Sequence, residues 1–445
     1  MKTKILAVIA LIAFSFSGVS QKKWDLKEAV DHALKNNITI KQNKLNVKLS
    51  QENIIISKGN FLPGANASTS SNFSSGLSPD QSGVLSATDN LSASLNLSIS
   101  GTVFNGFRNL NSYKQAQLGV ESSQLDLAKI KDDISLNVVN AYLNILFAKE
   151  NLNVAKVQYE ISKKQIERAK NQVDAGAKAK GELLNVRSTA ATDAQVVVAQ
   201  KNTLDLALLS LAQLLQVSTD GFDIATIDVG SPSVATLYDD SNVIYKKAVN
   251  NRPEILKAKI GVKNSELGIS IAKGAFLPTL SYSLSTGSSY FHQFNNLRPG
   301  QENIYFFKQV LKDRVQYGAG LSLNIPIFNG FKTKANVSKS IINKEISEYN
   351  LESQKLQLQQ TIQKVFLDAK SAAKSYEAAK TSLEAQQEAF KNAQERYNFG
   401  AMTLFDFDQV RNRLVAAEST LIRSKYDFVF KTKVLKFYYG ESILD

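Results

Sequence analysis

Two stretches of this 445-residue chain carry the same junction, VFNGFRNLNSY at Val103–Tyr113 and IFNGFKTKANV at Ile327–Val337. The shared core, Phe-Asn-Gly-Phe and a basic residue, recurs at an offset of 224 positions, Gly106 to Gly330, and that offset continues without a gap. Tyr142 pairs with Phe366, Ala148 with Ala372, Ala155 with Ala379, Gly176 with Gly400 and Arg187 with Arg411. Upstream the offset shortens. KNNITI at Lys35–Ile40 faces NNRPEI at Asn250–Ile255, and KGNFLPG at Lys58–Gly64 faces KGAFLPT at Lys273–Thr279. Each half thus orders a short helix, a Phe-Leu-Pro junction, a β region, an Asn-Gly junction, a very long helix, a Gly-bearing turn and a return helix. An internal repeat of this length limits the fold severely, because one structural unit must be built twice. It sets a first repeat over 21–217, a linker over 218–240 and a second repeat over 241–445, with β-hairpins near 62–104 and 277–328.

The β regions alternate. Leu91, Ala93, Leu95, Leu97 and Ile99 point one way, and Ser92, Ser94, Asn96, Ser98 and Ser100 the other. Tyr317, Ala319, Leu321, Leu323, Ile325 and Ile327 alternate with Gln316, Gly318, Gly320, Ser322, Asn324 and Pro326, and Leu280, Tyr282 and Leu284 with Ser281, Ser283 and Ser285. Ala65 to Phe73 alternates more weakly. A period of two places one face in an apolar medium and the other in a polar one. A half-buried soluble sheet gives a similar pattern. The polar face, however, is built from Ser, Asn and Gly with little charge, and each segment has roughly the ten residues of a tilted membrane strand. The pattern therefore favours lipid outside and water inside, with Ser74–Asn90 and about His292–Val315 as polar outer loops. Four strands do not close a barrel, since small membrane barrels start at about eight. The chain must associate with copies of itself.

The helices carry a second pattern. Ile134, Val138, Ala141, Ile145, Ala148, Leu152, Ala155, Tyr159, Ser162, Ile166, Ala169 and Val173 follow spacings of four and three. The second repeat answers with Leu358, Ile362, Val365, Ala369, Ala372, Tyr376, Ala379, Leu383, Gln386, Phe390, Ala393 and Tyr397. A sustained 3.5-residue period means coiled-coil packing. The return helices carry heptads at Ala190, Val197, Leu204 and Leu211 and at Leu414, Leu421, Phe428 and Leu435. About 65 residues of helix would run roughly 100 Å, severalfold more than a bilayer. Gly106 and Gly330 mark where strand becomes helix, and Pro63 and Pro278 where helix becomes strand, since proline disfavours helix at the residue before it.

Lys2 and Lys4, the apolar run Ile5–Phe16 and the small residues of SGVSQ read as a signal peptide over 1–20. No later stretch approaches 18 consecutive apolar residues, so any membrane entry is by β-barrel. The chain has no cysteine and two histidines, His32 and His292, and carries a formal charge of +13 with its lysines dispersed. This composition argues against thiol chemistry, a Ser-His triad, a histidine-rich metal site, cofactor binding and nucleic-acid binding. Without a nucleophile motif or phosphate loop, an enzyme is disfavoured. A barrel-anchored coiled-coil stalk or adhesin remains the alternative to a duct.

The signal segment, the tandem copies, FLP before a hairpin, FNGF after it and YNFGAMTLFDFDQVRN at Tyr397–Asn412 together resemble the TolC-type outer membrane factors. The resemblance covers nearly all of the chain after the signal segment. It implies a mainly α fold in which long antiparallel helices form a trimeric α-barrel and four strands per chain complete a 12-strand β-barrel. It implies an outer membrane exit duct for efflux or type I secretion, with the helical tunnel in the periplasm. The implied partners are a periplasmic adaptor, an inner-membrane transporter and outer membrane lipid. Residues near 218–250 and the C-terminus would form an equatorial belt. By resemblance, the helix-tip turns hold the functional residues. Asp406 falls on the first of the two aspartates that ring the family's constriction. Gln409 stands at the second, with Asp408 beside it, and the other repeat offers Glu182 and Asn185. Gly176, Tyr397, Gly400, Arg187 and Arg411 mark the turns where an adaptor would dock. Thr403 and Asp406 equally fit a capping box, and Glu182 suits a helix N-terminus, so gating and capping both stand for these residues.

Overall fold

The computed structural model describes residues 23–79, 83–227, 240–295 and 305–443. The segment expected to be a signal peptide, much of the expected linker and the middle of the second expected loop lie outside the described residues. In chain order the elements are β1 (Lys23–Trp24), α1 (Leu26–Asn36), α2 (Ile38–Gly59), β2 (Gly64–Pro79), β3 (Leu85–Phe104), α3 (Arg108–Asp174), α4 (Lys180–Leu215), β4 (Asp223–Ile224), α5 (Ser241–Asn251), α6 (Pro253–Gly274), β5 (Thr279–Gln293), α7 (Phe306–Lys308), a π-helical turn (Gln309–Asp313), β6 (Gln316–Asn324), α8 (Lys332–Asn398) and α9 (Leu404–Tyr439). The fold is mainly α and repeated: α3 and α8 have 67 residues each, and α4 and α9 have 36 each. The chain divides into a helical unit (Met1–Lys44, Leu125–Leu256, Ser353–Asp445) and a sheet unit (Leu45–Gln124, Lys257–Glu352).

In the sheet unit four antiparallel strands lie in the order β2-β3-β5-β6. Residues directly opposite share a face, and the register collects the alternating pattern into rows. Ile99 faces Leu284, which faces Ala319. Gly101 faces Tyr282, which faces Leu321. The other face aligns Ser100, Ser283 and Gly320, and next to them Ser98, Ser285 and Gly318. Ser70 and Ser94 hydrogen-bond there at 2.8 Å. The Tyr282 ring covers Gly101 so closely that a Cβ would stand 2.8 Å from it. The first outer loop is much shorter than expected, because β2 runs on to Pro79 and β3 begins at Leu85. Ladder pairing continues through the Ser/Gly/Thr stretch, whose polarity reads as loop, until Pro79. No helix among the described residues is long and apolar enough to cross a membrane.

The repeated junctions have one geometry each. Gly106 and Phe107 have φ of 69° and 61°, and Gly330 and Phe331 have 61° and 62°. Two successive left-handed residues swing a strand into a helix, and glycine takes the first without a Cβ penalty. The preceding asparagine caps that helix in both copies. Asn105 Oδ1 accepts from the Asn109 N–H at 3.3 Å, and Asn329 Oδ1 from the Thr333 N–H at 3.4 Å. At the Phe-Leu-Pro turns, Leu62 N–H bonds Gly59 O at 2.9 Å and Leu277 N–H bonds Gly274 O at 3.1 Å, leaving Pro63 and Pro278 to enter β2 and β5.

Within this unit the helices follow the order of the strands. Ser50 on α2 meets Ser123 on α3 at 2.7 Å, and Gln115 on α3 reaches Asn264 O on α6 at 2.9 Å. Ser265 on α6 meets Ser347 on α8 at 2.8 Å. The outer members keep large apolar side chains exposed, Leu45, Leu49, Ile55 and Ile56 on α2 and Ile341, Ile342, Ile346 and Tyr349 on α8. The repeats also touch backbone to backbone: a Cβ on Gly106 would lie 2.2 Å from Gly274 O, whereas one on Gly59 or Gly330, the complementary pair, meets nothing among the described residues.

The helical unit buries the predicted seams. Ile134, Val138, Ile145, Ala148, Leu152, Ala155 and Ala169 are buried along α3, and Leu358, Ile362, Ala369, Ala372, Ala379 and Ala393 along α8. The main core adds α1 and the ends of α4 and α9. The parallel pair β1–β4 lies against α3, where the Tyr142 hydroxyl reaches Trp24 O at 3.0 Å and Ala225 O at 2.7 Å. Burial raises the pKa of this phenol, so it remains a donor. Arg252, the arginine of NNRPEI, pairs with Asp132 at 3.3 Å and Glu254 at 3.2 Å. Its guanidinium packs over Phe437 and Tyr438.

Candidate functional site at the helix turns

The α3–α4 and α8–α9 turns are copies of one Schellman motif. In the first, the Ala177 N–H bonds Gln172 O at 2.8 Å and the Gly176 N–H bonds Val173 O at 3.0 Å. In the second, Ala401 bonds Arg396 O at 2.8 Å and Gly400 bonds Tyr397 O at 3.1 Å. Gly176 and Gly400 have φ of 73° and 74° in open space. Glycine stands here for backbone sign, not for room.

The two turns share one small core. Leu183 and Val186 of α4 pack with Ala169 of α3 and Leu404 of α9, and Tyr397 lies against them. Tyr397 stacks on Phe407, with centroids 4.8 Å apart, and Lys178 Nζ sits 5.0 Å from the Tyr397 ring. Lys178 also pairs with Glu182 at 2.8 Å, and Arg168 hydrogen-bonds Asn398. Gly176, Gly400, Tyr397 and Glu182 thus belong to one built tip.

The acidic candidates separate. Thr403 caps α9: its Oγ1 accepts from the Asp406 N–H at 3.1 Å, and its hydroxyl donates to Asp406 Oδ2 at 2.7 Å. The carboxylate thus takes the capping hydroxyl where a full capping box would take the Thr403 N–H. The Asp406 side chain is nevertheless exposed, in a depression of about 590 Å³ that Gln409, Arg396 and Arg413 also line. Asp408 is half-buried and turned to other partners, accepting from Thr189 Oγ1 at 3.3 Å and pairing with Arg411 at 3.6 Å. Burial raises its pKa, opposed by Arg411 and the Thr189 hydrogen bond. Asn185 and Arg187 are exposed on α4.

Arg411 is 2% exposed. Its Nη1 donates to Ser162 Oγ at 2.8 Å, and Ser162 donates to Asp193 Oδ2. Asp193 itself stands 3.5 Å from Nη1. With its amide oxygen turned inward, Gln158 accepts from Nε at 2.8 Å and Nη1 at 3.1 Å. Arg411 therefore ties α9 to both α3 and α4. Sequence reasoning did not find Gln158, Thr189 and Asp193. One signal was available: Ser162 occupies a seam position that otherwise takes apolar residues. Phe399 and Phe405, almost fully and largely exposed at the tip, were also missed; two aromatics inside a turn motif were the cue. No cluster of His, Cys, Asp and Glu able to hold a metal ion occurs among the described residues.

Comparison with known proteins agrees with this architecture. The outer membrane efflux protein BepC of Brucella suis biovar 1 is 21% identical over 437 residues, 98% of this chain and 89% of that protein. The alkaline protease secretion protein AprF of Pseudomonas aeruginosa is 23% identical over 246 residues, 54% of this chain but only 47% of that protein. The crystal structure of the Campylobacter jejuni CmeC outer membrane channel has the same fold. Its TM-score is 0.75 at 21% identity, over 94% of this chain and 87% of that one. The profile of the family described as outer membrane efflux protein matches residues 29–216 and 244–440, one match per repeat. The chain belongs to the outer membrane efflux protein family.

Proposed function

We propose that three copies of this chain close a 12-strand barrel in the outer membrane and a helical tunnel in the periplasm. Cargo leaves through this duct from an adaptor and an inner-membrane transporter. The observation that carries the reading is the open sheet: an apolar face aligned in register, a Ser/Asn/Gly face behind it, and two unpaired edges. Such edges are not tolerated in hydrocarbon, so β6 of one copy must pair with β2 of the next. The helices support the same closure, because α2 and α8, the outer members of the same order, each keep several large apolar residues exposed. Gly59 and Gly330 are the pair left to meet between copies, as Gly106 and Gly274 meet within one. The number three follows from family membership.

The ends of the sheet support membrane insertion. At one end, on the apolar face, His292 and Phe294 lie 4.6 Å apart and Tyr290 and Phe306 4.9 Å apart. At the other, Phe104 and Phe107 cross at 5.2 Å, and Phe328 and Phe331 at 5.6 Å. Along β3 the 13 steps from Leu91 to Phe104, at ~3.3 Å each and tilted by ~40°, rise about 33 Å. That matches a hydrocarbon core with an aromatic girdle at each surface.

At the tip, Asp406 and Gln409 would line the aperture as a ring favouring cations, with Asp408 held in the wall by Arg411. The adaptor would dock on the turns around Gly176 and Gly400 and on Phe399 and Phe405. The chain's first 20 residues would serve as its export signal, with repeats over 21–217 and 241–445 and an equatorial belt near 218–250. The duct serves an efflux pump, as the name of BepC says of its protein, or a secretion system, as the name of AprF says of its own. The test is native mass in detergent. Three copies are expected; a stable single copy would overturn the closure.

A further inference from the structure

The repeat relates the Arg411 site to a second place on the chain. Subtracting the offset of 224, Arg411 corresponds to Arg187, which is exposed. Adding it to the partners of Arg411 turns Gln158, Ser162, Thr189 and Asp193 into Ser382, Gln386, Arg413 and Ala417. These four residues line one groove of about 280 Å³ in the helical unit. Thus the second repeat carries the shape of the Arg411 socket without its arginine, and the first repeat carries an arginine without a socket.

We propose that this groove receives Arg187 of a second copy, and that the seam so formed is the one along which the helical tip parts. The occupant follows from the repeat. Within a chain, the second repeat inserts Arg411 into the first. The same step around a ring inserts Arg187 of the neighbour into the second repeat. This inference rests on the ring proposed above.

The chemistry of the two sockets differs. Arg411 is enclosed by two carboxylates, Asp193 and Asp408, and by Gln158 and Ser162. In the second socket Ala417 replaces Asp193, and Leu184, on the helix of Arg187 itself, replaces Asp408. Arg413 adds a second cation in place of Thr189. Ser382 and Gln386 supply hydrogen-bond acceptors, and no acid lines the groove. One seam is clamped by charge, and the other has two arginines side by side, which repel. When the tip opens, the seam within each chain holds and the seam between copies separates.

Supplying the missing acid tests this. A417D, reconstituted in planar bilayers, is expected to lower the open-channel frequency at least fivefold relative to the neutral control A417N. Adding R187Q to A417D should restore it. That rescue separates a bond to Arg187 of the neighbour from a local pair with Arg413. If A417D behaves as A417N, or if its effect survives R187Q unchanged, the socket is refuted. A wild-type chain that remains a single copy overturns both ring and socket. Wild-type channels with an inert A417D overturn the socket alone.

Discussion

Replacing Arg411 with Leu removes the cation from a site that keeps two half-buried carboxylates. Asp193 and Asp408 then repel each other in a low-dielectric wall, and Ser162 loses its donor. Breaking a buried pair from one side costs about 3 kcal/mol or more, because the remaining charge is uncompensated. At about 1.4 kcal/mol per decade, the local opening equilibrium shifts by roughly 150-fold. Amide exchange reads this directly, since opening of a helix segment sets its exchange rate. Residues 158–166, 189–197 and 408–416 are expected to exchange about two orders of magnitude faster in R411L, while the core around Tyr142 stays protected. The effect has a pH sign. The pKa of Asp408 is already raised, mainly by burial, and it rises further once Arg411 no longer opposes it. A carboxyl whose folded pKa is raised is most favourable to the fold at low pH and becomes costly as pH climbs through that pKa. The R411L penalty should therefore be largest at neutral pH and shrink on acidification, after correction for intrinsic exchange. Acceleration below fivefold at neutral pH, or a penalty that grows on acidification, would show that the buried pair does not hold these helices.

Further outcomes follow from other residues. The chain has no cysteine, so Leu49→Cys with Lys339→Cys, the between-copy counterparts of Asn264 and Gln115 that meet within one chain, should be joined by a short bismaleimide into a covalent ladder ending at three chains; links confined to one chain contradict the closure. Gly106→Val puts a Cβ 2.2 Å from the backbone Gly274 O at a residue with φ of 69°, where no side chain can turn aside, and should cost about 1–3 kcal/mol, visible as a lower melting temperature of the assembled barrel. F399S with F405S should weaken adaptor binding at least tenfold in a pull-down while leaving bilayer channels unchanged. D406N should reduce cation over anion selectivity in single channels without loss of assembly, and unchanged selectivity would leave Asp406 as a helix cap alone.

The features legible in the sequence are those written locally. FNGF predicts a left-handed turn into a helix because Asn and Gly suit it, and both copies form it. In the second copy, however, β6 stops at Asn324, before Pro326, so Ile325 and Ile327 leave the ladder that their alternation predicts they continue. The alternation at Leu91–Ile99 predicts which side chains share a face, and the register confirms it row by row. The continuation of β2 and β3 beyond Ser74 and Asn90 was not legible, because Ser and Gly pair in a ladder yet read as loop. Nor was the setting of Asp408. Its partner Arg411 is three residues away, but the burial that shapes both comes from Ser162 and Asp193, more than 200 positions upstream. The exposure of Arg187 against the burial of Arg411 was equally hidden, since the two occupy the same place in the repeat and differ only in whether a neighbour within the chain covers them.

The proposed duct requires that lipid touch the Leu/Ile/Tyr face of the sheet while water fills the space behind its serines. Recording purified protein in a planar lipid bilayer tests it most directly. Discrete, ion-carrying steps of uniform size are expected. A preparation that inserts as closed oligomers yet passes no current would contradict it.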